Sequence, residues 1–200
     1  MAGLFSLEQG EKLVKLARKS ISYSTLYANS MLKEAAQKEF SEERGVFTTI
    51  HSFPSMDLRG CIGFPEPVMP LWNAVIESSF SAAFNDPRFE PLRAEELSEI
   101  IIELSILSVP EEIKIEKKEV PKKISVGRDG LIVRKGFCSG LLLPQVAPEW
   151  KWNSLEFLEN TCNKAGLEKN AWKEKDCRIL KFQAQIFRET KPEGKITEEK

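Results

Sequence analysis

Hydrophobic residues along this chain recur with more than one period, and each period predicts a different element. Leu7, Leu13, Leu16, Ala17 and Ile21, followed by Leu32, Ala35 and Ala36, fall at helical spacing. Ser6-Leu7-Glu8-Gln9 has the form of a capping box, so one long helix, or two joined near Ser22–Ser24, is predicted over residues 7–39. From Val46 the period becomes two. Val46, Thr48, Ile50 and Leu58, Gly60, Ile62 alternate with Thr49, His51 and Arg59, Cys61, which predicts a hairpin with the polar groups on one face. A turn centred on Met56 would set His51 opposite Cys61, with Cβ atoms about 4.5–5.5 Å apart. A one-residue slip would separate the pair.

Further along, residues 71–84 read as a helix rich in small side chains that stops at Asn85-Asp86-Pro87, because the residue before proline avoids helical geometry. A helical turn around Ala94–Leu97 leads into Ile100–Ser108, whose β-branched run predicts a buried central strand. The dense charge of residues 111–123 predicts an exposed connection or edge element. Gly127-Arg128-Asp129-Gly130 marks a tight turn between that segment and two apolar strands, 131–134 and 136–143. Asn153-Ser154-Leu155-Glu156 caps a helix carrying Phe157, Leu158, Cys162 and Ala165, with Gly166 as its stop. Imperfect alternation over residues 179–186 predicts one late strand, and residues 191–200 read as a mobile tail.

The strongest strand pair is a hairpin rather than a βαβ crossover. The fold class is therefore α+β, two lobes around a mainly antiparallel sheet flanked by helices. We expect one domain over residues 1–190, with a smaller lobe formed around the charged 111–123 segment.

Composition narrows the function classes. The 200 residues are 42% hydrophobic with a formal net charge of -1, enough to bury a substantial core and too balanced to attract nucleic acid globally. Cys61, Cys138, Cys162 and Cys177 form no CxxC pair, and no secretory leader precedes them, which points to reduced thiols in a cytoplasm. No apolar run reaches membrane-spanning length. A single histidine and scattered cysteines offer no metal-ligand pair, and the GxxxxGK[ST], GxGxxG and GxSxG motifs are missing.

The candidate chemistry centres on the hairpin. Cys61 is either a nucleophile or a small packed thiol. Gly60 and Gly63 beside it point to a bulge or to the close approach of another backbone or a ligand. Arg59 could clamp a carboxylate or phosphate, or form an ion pair with Asp86 or Glu77. His51 could serve Cys61 as general base. Asp86 and Arg88 belong to a turn that could also face the hairpin. Gln145 ends an apolar strand, where its amide either satisfies backbone groups or reads a ligand. Trp72, Trp150, Trp152 and Trp172 are read as packing residues.

Taken together, Leu58-Arg59-Gly60-Cys61-Ile62-Gly63, Asp86-Pro87-Arg88-Phe89-Glu90-Pro91-Leu92, Gly127-Arg128-Asp129-Gly130-Leu131 and Leu141-Leu142-Leu143-Pro144-Gln145-Val146-Ala147 resemble the AMMECR-type domain family. The resemblance spans residues 7–190 and does not extend to the histidine at position 51. It implies a two-lobed α/β chain around a mainly antiparallel sheet. It assigns neither an activity nor a cofactor, and it implies Memo-type and radical SAM proteins as pathway partners. Two expectations follow. One is an enzyme or enzyme-accessory protein that binds a small anionic ligand through Arg59, Gly60, Asp86, Arg88 and Gln145, with Cys61 as reactive thiol and His51 assisting. The alternative is a non-catalytic scaffold that recognises a peptide or partner protein.

Overall fold

The computed structural model describes residues 5–22 and 36–199. The chain divides into two compact units, one made of the chain up to Leu107 together with the chain from Gln185, the other of Ser108–Ala184.

The first unit is built on a five-stranded sheet in the order β2-β1-β3-β8-β9. Its strands are β1 (Val46–Ser52), β2 (Leu58–Phe64), β3 (Ile100–Leu107), β8 (Ala184–Glu189) and β9 (Ile196–Glu199). The ladders β1–β2, β1–β3 and β8–β9 are antiparallel. Period-2 alternation in β1 turns Val46, Thr48 and Ile50 to the buried face, as the pattern predicts. Helix α1 (Leu7–Ser22) packs on that face through Leu13, Leu16, Ala17 and Ile21. Its predicted capping box is present, with Gln9 N donating to Ser6 Oγ and Ser6 N to Gln9 Oε1. Gly10 lets the Phe187 ring of β8 abut the helix, since a Cβ there would lie 2.2 Å from that ring. Residues 36–39 are helical, whereas the predicted junction near Ser22–Ser24 and the positions Leu32 and Ala35 fall outside the described residues.

Helix α2 (Leu71–Phe84) lies on the same face and owes its close approach to small side chains. Ala74, Ser78, Ser79, Ala82 and Ala83 are buried along it. Two of them are serines and need partners. Thr48 Oγ1 lies 2.7 Å from Ser78 Oγ and 3.2 Å from Ser79 Oγ, and both serines also donate to the Val75 carbonyl.

The second unit holds a four-stranded sheet in the order β4-β7-β5-β6. Its strands are β4 (Glu111–Glu112), β5 (Gly130–Lys135), β6 (Cys138–Leu142) and β7 (Arg178–Phe182). The charged segment supplies β4, an edge strand, and a 3-10 turn, Lys117–Lys123, whose Val120 is buried. Helix α3 (Ser154–Lys164) starts at the predicted Asn153 cap and presents Phe157, Leu158 and Cys162 to the core. Gly166 follows it at φ +73°, as a helix stop requires.

The structure corrects the sequence reading at three points of architecture. The described residues form two antiparallel sheets, where the sequence predicts one. The late strand is two strands: β7 and β8 join different sheets, and the break at Gln183, whose N–H bonds Ser108 Oγ at 2.9 Å, is what made the alternation imperfect. The expected tail instead turns back as β9, because Ile196 is 3% exposed in the core and Thr190 N closes the turn on the Lys195 carbonyl. Trp150 also departs from the packing expectation, being 67% exposed.

Candidate functional site

Strand β2 is an edge strand, so one side of its backbone lacks a partner strand among the described residues. At Cys61 that side is occupied by side chains. Cys61 N donates to Asp86 Oδ2 at 2.8 Å, and Arg88 Nη2 donates to the Cys61 carbonyl at 3.1 Å. Asp86 and Arg88 are joined by two bonds, Nε to Oδ1 at 2.9 Å and Nη2 to Oδ2 at 2.7 Å, and the Arg88 N–H also reaches Oδ1. The turn Asp86-Pro87-Arg88 thus grips the cysteine backbone like a short strand. The Arg88 guanidinium holds the buried Asp86 carboxyl well below the usual carboxylate range; burial opposes this, and the two backbone N–H donors add to it. Arg88 is pushed up in turn, chiefly by Asp86, against the opposing effect of burial.

The Cys61 side chain is half-buried on the sheet face opposite the helices. Its cross-strand neighbour is Thr49, not His51, and Thr49 Oγ1 donates to Cys61 Sγ at 3.4 Å. The expected His51–Cys61 pairing fails for a local reason. The loop spans residues 53–57, closed by Ser52 N to the Asp57 carbonyl, and Arg59 is inserted as a bulge between the Ile50–Gly60 and His51–Leu58 pairs. His51 therefore sits opposite Leu58, with Nδ1 3.3 Å from the Met56 carbonyl, which the Nδ1–H tautomer reaches as donor.

The same bulge re-aims Arg59. Its partner is Glu96, through Nε to Oε1 at 2.8 Å and Nη2 to Oε2 at 3.3 Å, rather than Asp86 or Glu77. Glu96 also accepts from the Arg93 N–H, and its carboxyl is lowered chiefly by Arg59. Gly60 and Gly63 have structural causes. A Cβ on Gly60 would lie 2.1 Å from the Ala82 carbonyl oxygen of α2, and one on Gly63 2.4 Å from the Val46 carbonyl oxygen.

The register extends the polar face beyond the hairpin. Thr49 pairs with Glu103 of β3, and Arg188 of β8 lies 3.5 Å from Glu103 and 2.5 Å from Glu199. Burial pushes the Glu103 carboxyl up, against the pull of His51 and Arg188. Cys61, Thr49, Glu103 and Arg188 form one row across four strands. Glu103 and Arg188 escaped the sequence reading, although a lone charge inside the apolar run Ile100–Leu107 was a usable signal. Gln145 belongs to the other unit, where its Oε1 is buried without a partner among the described residues, so the first of its two expected roles, satisfying backbone groups, is not met at that oxygen.

Fold and site together define an α+β protein with a half-buried cysteine clamped by an Asp–Arg pair at a sheet edge. The AMMECR1 family model matches residues 14–187, and the chain belongs to the AMMECR1 family. It is similar to protein MK0488 of Methanopyrus kandleri, 46% identical over 99% of this chain and 97% of that one. Protein Ta0236 of Thermoplasma acidophilum is 49% identical over 96% and 92% of the two chains. The crystal structure of the uncharacterized protein PH0010 from Pyrococcus horikoshii superposes with a TM-score of 0.85 at 44% identity, covering 96% of this chain and 97% of that one. Among the described residues no helix is long and apolar enough to cross a membrane.

Proposed function

We propose that this chain binds a small anionic ligand beside Cys61 and uses that cysteine as a reactive thiol, as an enzyme or an enzyme-accessory protein. The observation that carries this reading is the Asp86–Arg88 clamp. Asp86 and the Cys61 carbonyl occupy Nε and Nη2 of Arg88, while both Nη1 protons lack a partner among the described residues and the side chain is 53% exposed. A guanidinium so held can accept a carboxylate or phosphate next to the sulfur. The anion contact expected of Arg59 passes in this reading to Arg88, since Arg59 is half-buried against Glu96. Thr49 supplies a hydrogen bond to the sulfur, and His51, turned toward the hairpin loop, takes no proton from it.

The test is parallel alkylation with iodoacetate and iodoacetamide, read cysteine by cysteine by mass spectrometry. Cys61 is expected to react faster than Cys138, and far faster than Cys162, which burial pushes up to about 11, or Cys177, also raised by burial. Iodoacetate should be favoured at Cys61, and Arg88→Ala should remove that preference. If Cys61 labels no faster than Cys138 and shows no preference for the anionic reagent, the reading fails.

A second reading, a scaffold that recognises a partner protein, draws on Phe53, Met56 and Leu58, three large apolar side chains about two-fifths exposed at the end of the hairpin. Memo-type or radical SAM proteins would be its partners. Co-purification that survives Cys61→Ser and disappears with Leu58→Asp would favour it.

A further inference from the structure

The first unit contains a cavity of about 330 Å³ away from Cys61, between the last turns of α1 and the β8–β9 hairpin. Its floor is the ion pair of Arg18 and Glu189, whose side chains are 9% and 4% exposed and whose Nη2 and Oε2 lie 2.5 Å apart. Arg18 has five N–H donors. Four are used: Nε and one Nη2 proton on Glu189, the other Nη2 proton on the Ile100 carbonyl, and one Nη1 proton on the Leu97 carbonyl. The fifth, on Nη1, has no partner among the described residues, and Arg18 lines the cavity.

Lys15 and Lys19 project from the same side of α1, one turn apart, and line the wall with Ser22. Lys15 is held loosely by Glu11 at 3.6 Å, while Lys19 makes no ion pair among the described residues. Glu193, at φ +54° in the hairpin turn, supplies the opposing carboxylate. Three cations thus face two carboxylates, one of which is consumed by Arg18. The half-charge at the carbonyl end of α1 reduces this excess without reversing it.

We propose that this cavity binds a small organic oxyanion, with Lys19 and the spare Nη1–H of Arg18 as its donors. The volume is at the lower end of ligand pockets, which suits a phosphate or carboxylate attached to a few carbons. The site is independent of the Cys61 reading, and neither result bears on the other.

The experiment titrates the full chain with inorganic phosphate and, separately, with succinate, following the amide resonances of Gly194 and Ile196 by NMR. Saturable shifts at these amides are expected with at least one probe, and the tighter of the two identifies the anion class. Lys19→Gln should weaken binding about tenfold, the loss of one charge-assisted hydrogen bond. Lys118→Gln, on a side chain 74% exposed in the other unit, should leave it unchanged. No saturable shift with either probe at tens of millimolar, or equal weakening by the two variants, overturns the proposal.

Discussion

Replacing Gly60 by alanine tests whether the glycine of this strand exists to admit a helix. The added Cβ would lie 2.1 Å from the Ala82 carbonyl oxygen and 3.1 Å from its carbon, against ordinary contact beginning near 3.4 Å. Relief requires a movement of more than 1 Å between β2 and α2, and the obstruction is backbone, so no rotamer can provide it. The helix cannot drift freely, because Ala82 and Ala83 are buried and Ser78 and Ser79 are bonded to Thr48 of β1. Overpacking of this kind costs about 1–3 kcal/mol. Loosening the Thr48 bonds adds about 1 kcal/mol for each one lost. A total near 3 kcal/mol corresponds to a fall in Tm of roughly 6–12 °C for a chain of this size. Differential scanning calorimetry reads this directly, and Gly136→Ala provides the contrast. Gly136 has open space around its Cβ position but a φ of +57°, so only the smaller backbone penalty of about 1 kcal/mol applies there. A Gly60→Ala protein melting within a degree of wild type would refute the argument that helix approach dictates this residue.

Two further outcomes follow from the ionic groups. Asp86 is depressed in the folded state, so its contribution to stability is complete above the ordinary aspartate value near 4 and is lost as the pH falls below it toward the depressed folded value. Asp86→Asn should lower stability at neutral pH by about 1.5–3 kcal/mol and flatten the acid limb of a urea-midpoint-versus-pH curve; an unchanged acid limb would contradict the assignment. Glu189→Ala strips the buried Arg18 of its carboxylate and the Ile102 N–H of its acceptor, and should cost about 3–5 kcal/mol in urea unfolding. A loss below 1 kcal/mol would mean that water reaches the guanidinium.

Local patterns in the sequence carried most of the secondary structure, because caps, helical spacing and strand alternation are set by neighbouring residues. The Ser6 and Asn153 caps and the stop at Gly166 are examples. Register was beyond reach. The displaced His51 depends on where a loop closes and on one inserted residue, Arg59, neither of which changes the alternation of apolar positions in β1. For Cys61 the shift is two residues, from His51 to Thr49, which keeps the sulfur on its expected face; beyond the bulge Leu58 is carried to the His51 side, away from Gly60 and Ile62, and is 41% exposed. The Arg59–Glu96 pair spans 37 positions, and the row through Glu103 and Arg188 joins segments far apart along the chain. Pairings of that kind are decided by sheet order, which composition and periodicity do not encode.

The grip of Asp86 and Arg88 on the Cys61 backbone has a consequence for self-association. A bare border strand offers its amides to any other extended chain and so invites polymerisation. Here the donor and acceptor at the middle of that border are already taken by a carboxylate and a guanidinium from the same molecule. The protein can therefore keep a thiol at the rim of its sheet while denying that position to strand-to-strand stacking. Loss of either charged side chain would return it to the behaviour of a sticky ribbon.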